Sequence, residues 1–219
     1  MKYIKITVLL LFTSFGFMGS AQKPKTDDEV KYVNVLKERS QKIVDEFLQI
    51  KDSDKEIEVR DLIVGQYWDL NQIHDKRDTQ LKEAKDKLSD DQYKIKKKKI
   101  ELKTEKTISK LHTSYLKNLS KYLSSEEVDQ VKNGMTYNVY QITYKGYLDM
   151  LLDLTESQKE MISELLLEAR EIAMDKGSSK EKHAVFGKYK GRINNILSDE
   201  GYDLNKESKD WHERLKSKE

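Results

Sequence analysis

The chain has a single proline, Pro24, close to its N-terminus. Nothing after it is barred from a helix interior by a locked φ and a missing N–H. Apolar residues then recur at helical spacing over long distances. Ile63, Tyr67, Leu70, His74, Arg77, Leu81, Ala84 and Leu88 alternate at intervals of four and three, so all eight share one seam of a helix. His74 and Arg77 put polar heads where core residues are expected, which predicts a buried polar network with acids from another helix. Few breakers, many charges and only five phenylalanines argue for long amphipathic helices rather than a β-fold. The expected fold is all-α, a bundle of six to seven helices.

The N-terminus carries an export signal by pattern. Lys2 and Lys5 form a basic start, Ile6 to Phe17 is a nearly continuous apolar run, and Gly19-Ser20-Ala21 supplies small residues for cleavage. The run is short for a bilayer span, so no transmembrane anchor is expected after cleavage. The organisation that follows is a signal peptide over 1–21, a flexible leader over 22–28 and a single helical domain over 29–219. Loss of Lys2 and Lys5 cancels the net charge of +2, which leaves no global attraction for nucleic acid. With no cysteine, the chain has no thiolate metal site, disulfide or cysteine nucleophile. The expected location is periplasmic or secreted.

The first helix places Val33, Leu36, Ser40, Ile43, Phe47 and Ile50 in register, and Ser53 with Glu56 reads as a capping box for the second. A third helix is expected over Ser89–Leu123. Its lysine run, Lys94 to Lys99, reads as a solvated face, and Ile108, Leu111, Tyr115, Leu119 and Tyr122 follow as apolar positions. Ser124–Met135 is a short helix, and Gly134 and Gly146 bracket an irregular, tyrosine-rich connection. Thr155–Lys176 points Ile162, Leu165, Leu166, Ala169 and Ile172 inward, with Gly177 as its left-handed terminator. Ser178 and Glu181 cap the next helix, which ends before Gly201, and Leu204, Trp211 and Leu215 seed the last.

Three segments share a pattern: Leu88-Ser89-Asp90-Asp91-Gln92, Leu123-Ser124-Ser125-Glu126-Glu127 and Leu154-Thr155-Glu156-Ser157-Gln158. Each fits a capping box with a preceding leucine staple. Each also resembles the leucine-threonine-x-x-glutamine motif of periplasmic helical chaperones of the Spy and CpxP type, so a chaperone is one alternative function.

Tyr137, Tyr140, Tyr144 and Tyr147 offer apolar faces with polar tips, suited to sugar stacking or to core packing. Between Ser178 and Arg192 stand Lys180, Lys182, His183, Lys188, Lys190 and Arg192 against one acid, Glu181. Gly187 and Gly191 open a smooth strip on the same helix. The Gly177-Ser178-Ser179 turn presents N–H groups at a helix start, and Tyr189 with Asn194 and Asn195 adds polar reach. Such donors suit a carboxylate or hydroxyl-rich ligand; a solvated basic face is the competing reading.

The run from Arg170-Glu171 through Ala173-Met174-Asp175, Ser178 to His183 and Phe186 to Asn195 to Gly201-Tyr202-Asp203 resembles a secreted bacterial family of unknown function, numbered 3826. Its members are described as candidate sugar-binding proteins. Gln66-Tyr67, Asp69-Leu70-Asn71, Ile73-His74-Asp75, Gly134 to Tyr137 and Tyr147 to Met150 resemble it too, and Val185 departs from it where a tryptophan is expected. The resemblance implies a carbohydrate ligand held along the C-terminal run, where Arg170, Asp175 and His183 join the set. In that picture Lys182, Lys188, Lys190 and Arg192 hold carboxylates of an acidic sugar. Tyr137, Tyr140 or Tyr189 stacks, and Asn194 and Asn195 read hydroxyls.

No metal or other cofactor is expected. Asn71, His74, Asp75 and Asp78 lie on adjacent helical faces without a second histidine cluster, and no nucleophile elbow or phosphate loop is present. A carbohydrate-active enzyme remains a second alternative; Glu168, Glu171 or Asp175 can supply one carboxylate of the required pair.

Overall fold

The computed structural model describes residues 26–217, and among these every regular element is a helix. The expected signal peptide lies outside the described residues. The eight helices are α1 (Asp27–Phe47), α2 (Ser53–Lys87), α3 (Asp90–Leu119), α4 (Ser125–Met135), α5 (Val139–Met150), α6 (Glu156–Met174), α7 (Ser179–Asp199) and α8 (Leu204–Lys216). None is long and apolar enough to cross a membrane.

Helix starts follow the side-chain chemistry. Ser124 accepts from Glu127 N at 3.2 Å while Glu127 Oε2 accepts from Ser124 N at 2.8 Å. Thr155 and Gln158 repeat the reciprocal pair at 3.3 and 2.9 Å. At Ser89 the reach-back bond to Gln92 Oε1 is 3.3 Å. These three serine or threonine segments thus act as helix caps. Helix α2 corrects the expected box at Ser53: its cap is Asp52, whose carboxylate accepts from Asp54 N and Lys55 N. A carboxylate one residue earlier satisfies two orphan donors at once. Helix α1 starts at Asp27 on a Thr26–Glu29 box, so the last two positions of the expected leader are helical.

The helix added to those expected is α5, in the stretch expected to be irregular. Gly146 lies inside it and costs only about 1 kcal/mol of helix propensity. Burial of Tyr147 and packing of Tyr140, Tyr144 and Leu148 against α6 and α7 outweigh that cost. Ile172, expected inward, is 38% exposed because Ala169, Ala173 and Met174 take the inner face of α6.

Two large apolar clusters hold the helices, and a smaller one of Leu36, Val64 and Trp68 packs α1 on α2. One joins Ile43 and Val44 of α1, Val59 and Ile63 of α2, Tyr115 and Leu119 of α3, Val128, Val131 and Met135 of α4, and Met174 of α6. The other joins Tyr147, Ile162, Leu166, Ala169, Phe186, Tyr189, Ile193 and Leu197 of α5, α6 and α7. Helix α6 contributes to both and ties them together. Helices α2 and α3 pair as a long hairpin whose far half has a thin core: past His74, α2 buries only Ala84, and α3 before Tyr115 buries only Ile100.

Candidate functional site

The turn from α4 to α5 sets the site. Asn138 N donates to Asn133 O at 2.8 Å and Tyr137 N donates to Gly134 O at 3.2 Å, the bond pair of a Schellman terminator. At the end of α7 the same pair runs from Tyr202 N to Leu197 O and from Gly201 N to Ser198 O, with Gly201 at φ +100. Glycine is the usual occupant of that left-handed position. After α4 the position is held by Tyr137 at φ 58, followed by Asn138 at φ 56. A left-handed residue with a bulky Cβ substituent costs about 1–2 kcal/mol, yet a tyrosine stands there with 42% of its surface exposed.

Tyr137 stands beside a cleft of about 660 Å³. Helix α1 lines it with Glu38, Arg39, Lys42, Ile43, Glu46 and Phe47; Tyr67, Gly134 and Asn138 complete the wall. Gly134 is there of necessity: a Cβ would lie 2.7 Å from Ile43 Cγ2. The Tyr137 ring stacks on His183 of α7, 5.5 Å between centroids and 11° from parallel. The Asn138 Oδ1 is buried with no hydrogen-bond partner, although buried polar atoms are normally paired.

Behind the cleft, Lys182 is buried. Its Nζ donates to Met135 O at 2.9 Å and lies 5.2 Å from the Tyr67 ring centroid, while the Arg39 guanidinium stands 5.7 Å from the same centroid. Burial, and then the Arg39 charge, lower the Lys182 amine to about 8. Burial likewise pushes the Tyr67 hydroxyl well above its ordinary range.

A second polar cluster spans four helices. Arg170, 4% exposed, donates to Asn133 Oδ1 at 2.9 Å, Asp129 Oδ1 at 2.7 Å and Glu171 Oε1 at 3.1 Å, and its guanidinium lies 5.7 Å from the Tyr140 ring centroid. His112 Nδ1 lies 2.8 Å from Asp175 Oδ2, and Lys132 reaches Glu171 at 3.0 Å. His74 Nε2 bonds the main-chain oxygen of Asp175 at 2.8 Å. Gly177, expected as a left-handed terminator, instead makes room for this ring: a Cβ there would meet His74 carbons at 3.0 Å. Arg77 is only partly covered and bonds its neighbour Asp78, with Glu181 of α7 at 3.8 Å. This arrangement locks α2, α3, α4 and α6 together.

The structure divides the residues singled out in the sequence. Tyr137, Lys182 and His183 meet beside the cleft, whereas Arg170, Asp175 and His74 belong to the interhelical cluster. On α7 the buried face is Lys182, Phe186, Tyr189, Ile193 and Leu197. Lys188, Lys190, Arg192, Asn194 and Asn195 are all exposed, and Gly187 and Gly191 face open space. The Tyr189 hydroxyl donates to Glu168 at 2.5 Å with Arg192 over its ring at 4.8 Å, Tyr140 pairs with Ser163, and Tyr147 donates to Asn194 at 2.7 Å. Arg39, Tyr67 and Asn138 were not expected at a site; the signal available was the Tyr137-Asn138 pair ending a helix where glycine is usual.

No curated protein matches the chain. The family model for proteins of unknown function DUF3826 matches residues 33–217, nearly all of the described chain, and this protein belongs to that family.

Proposed function

We propose that this protein is an exported carbohydrate-binding protein whose ligand seats in the cleft between α1, Tyr67 and the α4–α5 turn. The observation that carries the reading is Tyr137, an exposed aromatic ring held in a glycine conformation beside the cleft and braced by His183. Sugar faces present C–H groups that pack on an aromatic ring, while their hydroxyls need donors and acceptors in fixed positions. Glu38, Arg39, Lys42 and Glu46 supply both kinds. Export rests on the basic, apolar and small-residue pattern from Lys2 to Ala21.

Binding suits this cleft better than hydrolysis. Its two carboxylates, Glu38 and Glu46, sit on one helix eight residues apart, about 12 Å of rise. A glycosidase sets its pair across the scissile bond from each other.

Calorimetric titration of the mature chain with neutral oligosaccharides tests the proposal. Saturable binding that weakens at least tenfold in Tyr137→Ala, and is unchanged in Lys188→Ala/Arg192→Ala, supports the cleft. Absence of saturable binding, or loss confined to the α7 double variant, overturns it.

A further inference from the structure

The α2–α3 hairpin carries a feature the cleft does not use. Lys96, Lys99, Lys103, Lys106 and Lys110 recur at intervals of three, four, three and four on α3, so they form one stripe down a single flank of the helix. The stripe covers about 21 Å of rise. All five are exposed. The lysine ion pairs that α3 makes among the described residues are Lys94–Asp91 and Lys97–Glu101, both off the stripe. Five like charges in a row, none in an ion pair among the described residues, repel one another, and a bound anion relieves that repulsion.

A groove of about 520 Å³ runs beside the stripe. Lys96, Lys99 and Lys103 form one lip, while Gln80, Glu83 and Lys87 of α2 form the other. Ala84, Leu88 and Ile100 line the groove as well. The groove is therefore lined by four lysines and one carboxylate, with Lys87 on the same lip as Glu83.

We propose that this groove and stripe bind a linear anionic polysaccharide, its carboxylates or sulfates pairing in sequence with the lysines. The concavity favours a narrow chain over a flat lipid surface, which would not reach Ala84 and Ile100. The only exposed large apolar residues of α3, Ile95 and Leu102, are too few to make the broad apolar face of a membrane-lying helix. Aromatic rings on α3 occur only at Tyr93 and Tyr115, both off the stripe, so nucleobases have no stacking platform there. The inference shares a ligand class with the cleft reading but rests on different residues.

The experiment uses the full mature chain, with wild type, Lys99→Gln/Lys103→Gln/Lys106→Gln and Tyr137→Ala titrated against size-defined oligogalacturonates in rising salt. The proposal expects affinity to grow with oligomer length and fall with salt, and to drop at least tenfold in the triple variant. Tyr137→Ala retains that binding, which separates this site from the cleft. Equal affinity in wild type and triple variant overturns the proposal. So does salt-sensitive binding of single-stranded oligonucleotides at the same strength. Binding to phosphatidylglycerol vesicles without any to oligogalacturonate overturns it in favour of a membrane surface. Circular dichroism of the triple variant confirms that lost binding is not lost fold, since none of the three side chains is buried.

Discussion

Lys182 Nζ donates to the main-chain oxygen of Met135 at 2.9 Å while lying over the Tyr67 ring, so one ammonium joins α7 to the end of α4 and to α2. That position holds its folded pKa near 8, below the unfolded value of about 10.5. Between these two values the unfolded chain binds the extra proton, so stability rises with pH across that window. Below about 8 the full penalty of burying the charge is present. The stability difference between wild type and Lys182→Met should therefore move in favour of wild type by on the order of 2 kcal/mol between pH 7.5 and 10. Urea unfolding at stepped pH measures it; parallel curves for the two proteins would mean that the amine is not held as described.

His112 is predicted to show the opposite slope. Its hydrogen bond to Asp175, helped by the charges of Asp175 and Glu171 and opposed by burial and Lys132, raises its pKa above 6.5. The protonated ring then stabilises the fold fully below about 6.5, and that contribution fades as pH rises through the raised folded value. His112→Gln should lose most stability at pH 5.5 to 6 and approach wild type in alkali. A gap that does not change with pH sinks the assignment.

Local chemistry made much of the fold legible. Ser124, Thr155 and Ser178 start helices through bonds within four residues, and the α2 seam needs only its own periodicity. Helix α5 was only partly legible: Tyr137, Tyr140, Tyr144 and Tyr147 keep three-four helical spacing, but Gly134 precedes them and Gly146 interrupts them, and contacts with α6 and α7 decide it. On α7 the relevant signal was present: Lys182, Phe186, Tyr189, Ile193 and Leu197 keep helical spacing, which already turns Lys188 and Lys190 away from the core. The cleft was not legible. Arg39, Tyr67, Tyr137 and Lys182 lie on four separate segments, and no local pattern reports that they converge.

Gly134→Ala should destabilise the fold by about 1–2 kcal/mol. Alanine gains helix propensity of about 1 kcal/mol, but its Cβ would sit 2.7 Å from Ile43 Cγ2 and 3.2 Å from Phe47 Cδ2, both anchored in the core. Ile43→Ala removes Cγ1 and Cγ2, the two isoleucine atoms that crowd it. Adding it should therefore recover part of the loss, so the double variant melts higher than the sum of the single effects requires. Strict additivity in thermal unfolding would show that the close approach is not the cause.

The sharpest prediction sets stability against binding at Tyr137. Gly201 and Tyr137 occupy the same place in two Schellman terminators, and only the glycine accepts a left-handed φ without cost. Tyr137→Gly releases backbone strain of about 1–2 kcal/mol. It also gives up the stacking on His183, worth about 0.5–1.5 kcal/mol, and adds freedom to the unfolded chain. These effects nearly cancel, so the melting temperature should stay within a few degrees of wild type. Tyr137→Ala keeps the strain and loses the ring, and should melt lower than Tyr137→Gly. Both variants lose the platform beside the cleft and should bind neutral oligosaccharide at least tenfold more weakly. If Tyr137→Gly instead unfolds well below wild type, the ring is held for packing rather than for a ligand. A tyrosine whose removal leaves the fold nearly as stable but weakens binding is what a carbohydrate site in this cleft requires.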